Sequence, residues 1–186
     1  MKKLILLIAF ISLVSFEYAQ TDMHTMPPDS VVLKFLNWYK INFKKSDTFY
    51  FVSDKNDSSH IINGRWGDST IFYSVNFKGT EKFLKFLNSS NCLSNKYIEN
   101  KRVSFKERSI KLDKQKQWDY PPYGFSADEV FFSNMIESLV PSLEKAKIET
   151  INSDKNFIKL KFNTSDYPAV FSLSKYDNKW LIDDIK

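Results

Sequence analysis

The sequence predicts an α+β domain, with helices first and an antiparallel sheet last. Three observations carry this. Val32, Phe35, Leu36, Tyr39 and Phe43 recur at the i, i+3, i+4, i+7 spacing that gathers side chains on one helical face. Beyond residue 146 the period drops to two, with Ile158, Leu160 and Phe162 alternating with Lys159 and Lys161. The four β-rich runs of that last third are joined by polar turns too short for a crossover, so neighbours must be antiparallel.

The elements follow in chain order. Lys2 and Lys3 precede an apolar run from Leu4 to Phe16, which is too short as a helix to cross a bilayer. That layout is a secretory signal peptide, with cleavage expected after Ala19. Residues 20–28, with His24 and the Pro27-Pro28 pair, read as a loose leader. A single domain over 29–186 follows, opened by Asp29 or Ser30 as the cap of a helix reaching Lys44.

Thr48–Val52 and Ser69–Val75 have the aromatic and β-branched content of short strands, and equally suit loops flanking helices. Thr80 is expected to cap a helix carrying Phe83, Leu84, Phe86 and Leu87, and a second helical pattern runs from Leu93 to about Lys116. Together they form a helical middle section over about 80–116. Lysine and arginine dominate residues 78–116, which read as a solvated basic face with weak attraction for anionic surfaces. Ser126 or Asp128 is expected to start a short helix through Val130, Phe131, Met135 and Leu139. Strands are expected at 148–151, 157–162, 169–173 and 180–185, forming a meander.

Composition limits the chemistry. The 186 residues are 42% hydrophobic with only four glycines, enough apolar material for one packed core. The net charge is +5, yet arginine appears only as Arg65, Arg102 and Arg108. Arginine's planar fork is the usual reader of phosphates and base edges, so nucleic acid is not an expected partner. Cys92 is the single cysteine, which removes disulfide frameworks, CxxC metal or redox motifs and a lipid-anchor cysteine; burial is its expected state. Two distant histidines, His24 and His60, do not make a zinc site, and adjacent strand residues Asp183 and Asp184 point to opposite faces and cannot share one cation. No cofactor motif is present.

The candidate site is the stretch from Trp118 to Glu129. Its prolines and glycine block regular structure while its aromatics call for apolar contact. Trp118, Asp119, Tyr120, Tyr123, Phe125 and Asp128 are the candidate ligand-binding residues, either as a recognition loop or as a structural clasp. A carboxylate here, Asp119 or Asp128, beside Tyr120 or Tyr123, is the one arrangement suited to proton transfer, since burial would raise its pKa toward a useful range.

Val32 to Tyr39, the Pro121-to-Asp128 loop and the closing Lys179 to Ile185 strand resemble the pattern of an uncharacterised family of secreted bacterial domains. That family's fold resembles the nuclear-transport-factor or cystatin-like cone, so the resemblance implies N-terminal helices packed on a curved antiparallel sheet over residues 29–186. Cone-shaped proteins include isomerases, dehydratases, binding modules and immunity proteins, and fold alone does not choose among them. The expectation is a secreted or periplasmic, non-catalytic binding domain for a small apolar molecule, an envelope component or a protein. The alternatives are an inhibitor or immunity-type interaction module, and a cofactor-independent isomerase or hydro-lyase using a buried carboxylate. Monomer and homodimer are both compatible with the sequence.

Overall fold

A computed structural model describes residues 26–54, 73–114, 124–125, 127–164 and 168–186. The expected signal segment, Trp118, Asp119, Tyr120, Tyr123, Ser126 and most of the 46–78 region lie outside them. Helix α1 spans Pro28–Asn42 and continues into a 3-10 turn over Phe43–Thr48. Two short strands, β1 (Val52–Asp54) and β2 (Tyr73–Val75), pair antiparallel. Helices α2 (Phe77–Asn88) and α3 (Asn95–Lys114) follow, then α4 (Ile136–Glu144). The chain closes with β3 (Lys147–Ser153), β4 (Phe157–Asn163), β5 (Ala169–Tyr176) and β6 (Lys179–Ile185). These four strands form one antiparallel sheet in the order β3-β4-β5-β6, so the fold is α+β and the C-terminal meander is as expected.

The core lies between the helices and one face of this sheet. Val31, Val32, Phe35, Leu36 and Tyr39 of α1 are buried, as their spacing requires, and α1 packs on α4 and β6. Phe83, Leu84 and Leu87 give α2 its inner face, and α3 packs on α2, β2 and β6. From the sheet come Leu160, Phe162, Phe171, Leu173 and Ile182, all at 3% exposure or less. Burying each such side chain contributes about 2 kcal/mol, which is what holds the layers together.

Three expected helix starts are corrected. In α1 the cap position is Pro27, with no side-chain cap; Pro28 opens the helix because its preset φ suits the first turn and its missing N–H is not needed there. Asp29 instead supplies negative charge to the first turn. Asn76, not Thr80, caps α2, accepting the Gly79 N–H at 3.0 Å, while the Thr80 hydroxyl turns back to the Phe77 carbonyl. Asp128 starts a turn rather than a helix. Its side chain caps two N–H groups, but Phe132 at φ 53° ends the turn, and α4 begins only at Ile136.

One edge of the sheet is closed. The Cys92 carbonyl accepts the Ile182 N–H at 2.8 Å and the Ile182 carbonyl accepts the Ser94 N–H at 2.9 Å, laying residues 92–94 along β6. Cys92 is fully buried there, as expected, and burial raises its thiol pKa to about 11. Asp183 sits where the β5–β6 register shifts and is also buried. Burial alone would raise its carboxyl, but the Ser174, Ser94 and Tyr176 hydroxyls and the Lys96 ammonium outweigh that and hold it below the ordinary aspartate range. Asp184 faces the other way and pairs with Lys186 at 3.2 Å, so the two aspartates occupy opposite faces.

Candidate functional site

Between the 3-10 turn with its following extended segment and the stretch from Phe125 to Ser138 lies an open cleft of about 790 Å³. Phe43, Phe49, Tyr50, Phe51 and Phe125 supply rings to its walls, Met135 and Ile136 add aliphatic surface, and Asp128, Glu129 and Glu137 add carboxylates. A second cleft of about 490 Å³ lies between the 130–135 stretch and Leu139, Pro168, Ala169 and Ile185. Ser133, Asn134 and Met135 line both, so this ridge is a shared wall.

The ridge is held by side chains rather than by a β ladder. Asp128 Oδ1 accepts the N–H groups of Val130 and Phe131 at 2.9 and 2.8 Å, and the Phe132 N–H returns to the Asp128 carbonyl at 2.8 Å. From α1, the Tyr39 hydroxyl donates to Asp128 Oδ2. From α3, Lys101 donates to the Glu129 carbonyl, and Arg108 forms a two-pronged contact with the Glu129 carboxylate at 2.8 and 2.6 Å. Arg108 Nη1 also reaches the Gly124 carbonyl at 2.6 Å. Its guanidinium rests against the stacked pair of Phe105 and Phe125, 4.5 and 4.4 Å from centroids that are themselves 6.5 Å apart. Contact with two aromatic rings is a favourable seat for a weakly hydrated planar cation.

Burial sets the acid–base character of these groups. It raises the Asp128 carboxyl, and the hydrogen bonds from Tyr39, Phe131 and Val130 and the charge of Lys101 only partly offset it. It raises the Tyr39 hydroxyl too, reinforced by the neighbouring Asp128 charge. Burial pulls the Lys101 ammonium down to about 8, against the attraction of Glu129 and Asp128. Lys101 lies 4.3 Å from the centroid of the Phe132 ring. Among the described residues the buried Tyr97 hydroxyl and Arg108 Nε have no hydrogen-bond partner.

Of the six candidate binding residues, the structure brings Phe125 and Asp128 to this one cleft. Trp118, Asp119, Tyr120 and Tyr123 lie outside the described residues. Tyr39 was legible only as core; its contact with Asp128 spans 89 residues of sequence. Lys101 and Arg108 are exceptions to the reading of the 78–116 cations as a solvated face. Tyr97, Lys101, Phe105, Arg108 and Leu112 form one row on the inward face of α3, with Lys101 at 9% and the Arg108 side chain at 14% exposure. Their spacing along the apolar row was the available signal, because a cation in register with core residues must find a partner inside.

Among the described residues no group of three or more His, Cys, Asp or Glu side chains is arranged to hold a metal ion, and no helix is long and apolar enough to cross a membrane. Comparison with family models, with curated proteins and with solved structures finds no match.

Proposed function

We propose that the chain is a secreted or periplasmic binding domain that holds its ligand in the aromatic cleft without transforming it. The carrying observation is the combination of an open, ring-lined cleft with carboxylates that are already occupied. Both oxygens of Asp128 and both of Glu129 accept hydrogen bonds from the protein's own groups. A cleft of this size, apolar with a few fixed polar groups, is the usual form of a small-molecule site. Its ligand is apolar, because the buried carboxylates of the cleft are taken by the protein's own donors.

Native mass spectrometry of the protein recovered from its own host tests this. The expected result is a mature chain cleaved after Ala19, with a passenger of about a few hundred daltons. Met135→Glu, which places a charge on the shared wall at a half-exposed position, should release the passenger without unfolding the domain. A bare chain that also binds none of a set of apolar ligands would overturn the small-ligand reading and favour the inhibitor or immunity-type alternative.

One observation favours a catalytic reading. Asp128, raised by burial and touched by the Tyr39 hydroxyl, lines the cleft and has the character of a general base beside an acid. It predicts deuterium exchange from solvent into a bound carbon acid, abolished in Asp128→Asn. A ligand that binds with no exchange removes this reading.

A further inference from the structure

The two edges of the main sheet are treated differently. Residues 92–94 lie along β6, whereas β3 pairs only with β4 among the described residues. All seven residues of β3 are exposed or half-buried, although β4 beside it buries Leu160 and Phe162. The outer row of N–H and C=O groups of β3 is therefore available for pairing, and an unpaired strand edge is a template for another strand. A register shift at Ile151, the kind of irregularity that protects strand edges, interrupts the C-terminal half of β3 but leaves the Lys147–Thr150 half in regular register with β4.

The charges on that regular half are self-complementary. In an antiparallel pair related by a two-fold axis at Ile148, Lys147 of each copy stands opposite Glu149 of the other, and Ile148 meets its own copy. Opposite charges directly across a ladder stabilise it, and like charges oppose it. Cross-strand partners share one face of a sheet, so Ile148, half-buried opposite the buried Phe162, would extend the core side across the axis. A two-fold interface is self-complementary by construction.

We propose that β3 is a homodimer interface: two copies join edge to edge through antiparallel β3 strands centred on Ile148, making one continuous eight-stranded sheet. The interface involves none of the cleft residues, so its test is independent of the ligand-binding reading.

Sedimentation velocity over a range of protein concentrations measures the association. Wild-type protein should approach twice the monomer mass. Glu149→Lys places like charges opposite each other twice per dimer and should weaken association about tenfold. Lys147→Glu should do the same from the other side. Mixing these two single variants should restore association, because each supplies the charges the other lacks. The double variant Lys147→Glu/Glu149→Lys should also self-associate, although it carries the same mismatch as Glu149→Lys opposite Lys161 within its own sheet. Thermal melts of every variant show whether the domain is intact. A wild-type protein that stays monomeric overturns the proposal. So does a dimer indifferent to the single substitutions, or single variants that neither mixing nor the double swap restores.

Discussion

At the scale of single residues, the structure assigns sharply different consequences to a few side chains. Gly79 lies so close to the 49–51 segment that an added Cβ would sit 2.0 Å from the Tyr50 carbonyl oxygen. Backbone cannot give way as a flexible side chain can, so Gly79→Ala should cost about 3 kcal/mol in urea unfolding. Lys101 makes a prediction in pH. Its folded pKa of about 8 lies below the ordinary lysine value of 10.5, so the unfolded chain holds that proton more tightly. The cost of burying the charge is present in full below pH 8 and is relieved as pH rises toward 10.5. Stability should therefore climb by about 2 kcal/mol between pH 8 and 10. Above that, Tyr39 and Tyr97, whose hydroxyls are raised by burial, begin to oppose the gain. The climb should vanish in Lys101→Met; a rise of equal size there would assign it to other groups.

At the scale of elements, the 127–135 turn and the β5–β6 hairpin show local chemistry serving different ends. Asp128→Ala removes the acceptor of two backbone N–H groups and of Tyr39, and should cost about 2 kcal/mol in denaturant unfolding. Asp128→Asn keeps an oxygen for the N–H pair and should be nearly neutral, so comparing the two separates the turn-forming role from any role of the charge in binding. The hairpin turns at Asp177 and Asn178, both at positive φ (47° and 64°), the conformation that brings antiparallel strands back with the right twist. Asn178→Gly relieves the Cβ crowding and should be neutral or stabilise by up to about 0.5 kcal/mol, whereas Asn178→Val should destabilise by about 1–2 kcal/mol. Thermal melts are the measurement. Both Asp128 and Asp177-Asn178 could be picked out in the sequence as polar punctuation. Only the flanking period decided the outcome, since alternation on both sides of Tyr176–Asn178 fixed a hairpin. Nothing comparable surrounds Asp128, and a helix start was the wrong conclusion there.

At the scale of the whole molecule, one continuous aromatic and aliphatic core joins the helices to the sheet. Phe51, Phe83 and Phe105 meet edge-on or stacked, with centroids 5.1 to 6.5 Å apart, linking the extended segment to α2 and α3. Phe131, Phe162 and Phe171 do the same between the turn and the sheet. Cys92 lies inside this structure, at the closed sheet edge, with its pKa raised by burial to about 11. Its labelling by a thiol reagent should therefore follow opening of the domain, rising with urea in step with the unfolding transition. Fast labelling of the native protein would show that the β6 edge opens independently of the rest. Both described arginines grip carboxylates, Arg108 the buried Glu129 and Arg102 the more exposed Glu81 and Glu99. The exposed basic surface is therefore left chiefly to lysine.

The sequence by itself determined the α+β order, the faces of α1 and α2, the C-terminal meander and the burial of Cys92. Each depends on spacing within a short window, where periodicity alone says which side chains share a face. Only the tertiary structure decided the cleft. Tyr39 meets Asp128, Arg108 meets Glu129 and the 43–52 segment faces the 125–138 stretch because three separate elements converge, and no local pattern records such a convergence. The same holds for the sheet edges. Strand composition predicts that β3 and β6 exist, but whether another segment lies along each is a matter of how the chain returns in space, covering one at 92–94 and leaving β3 without a second partner strand among the described residues.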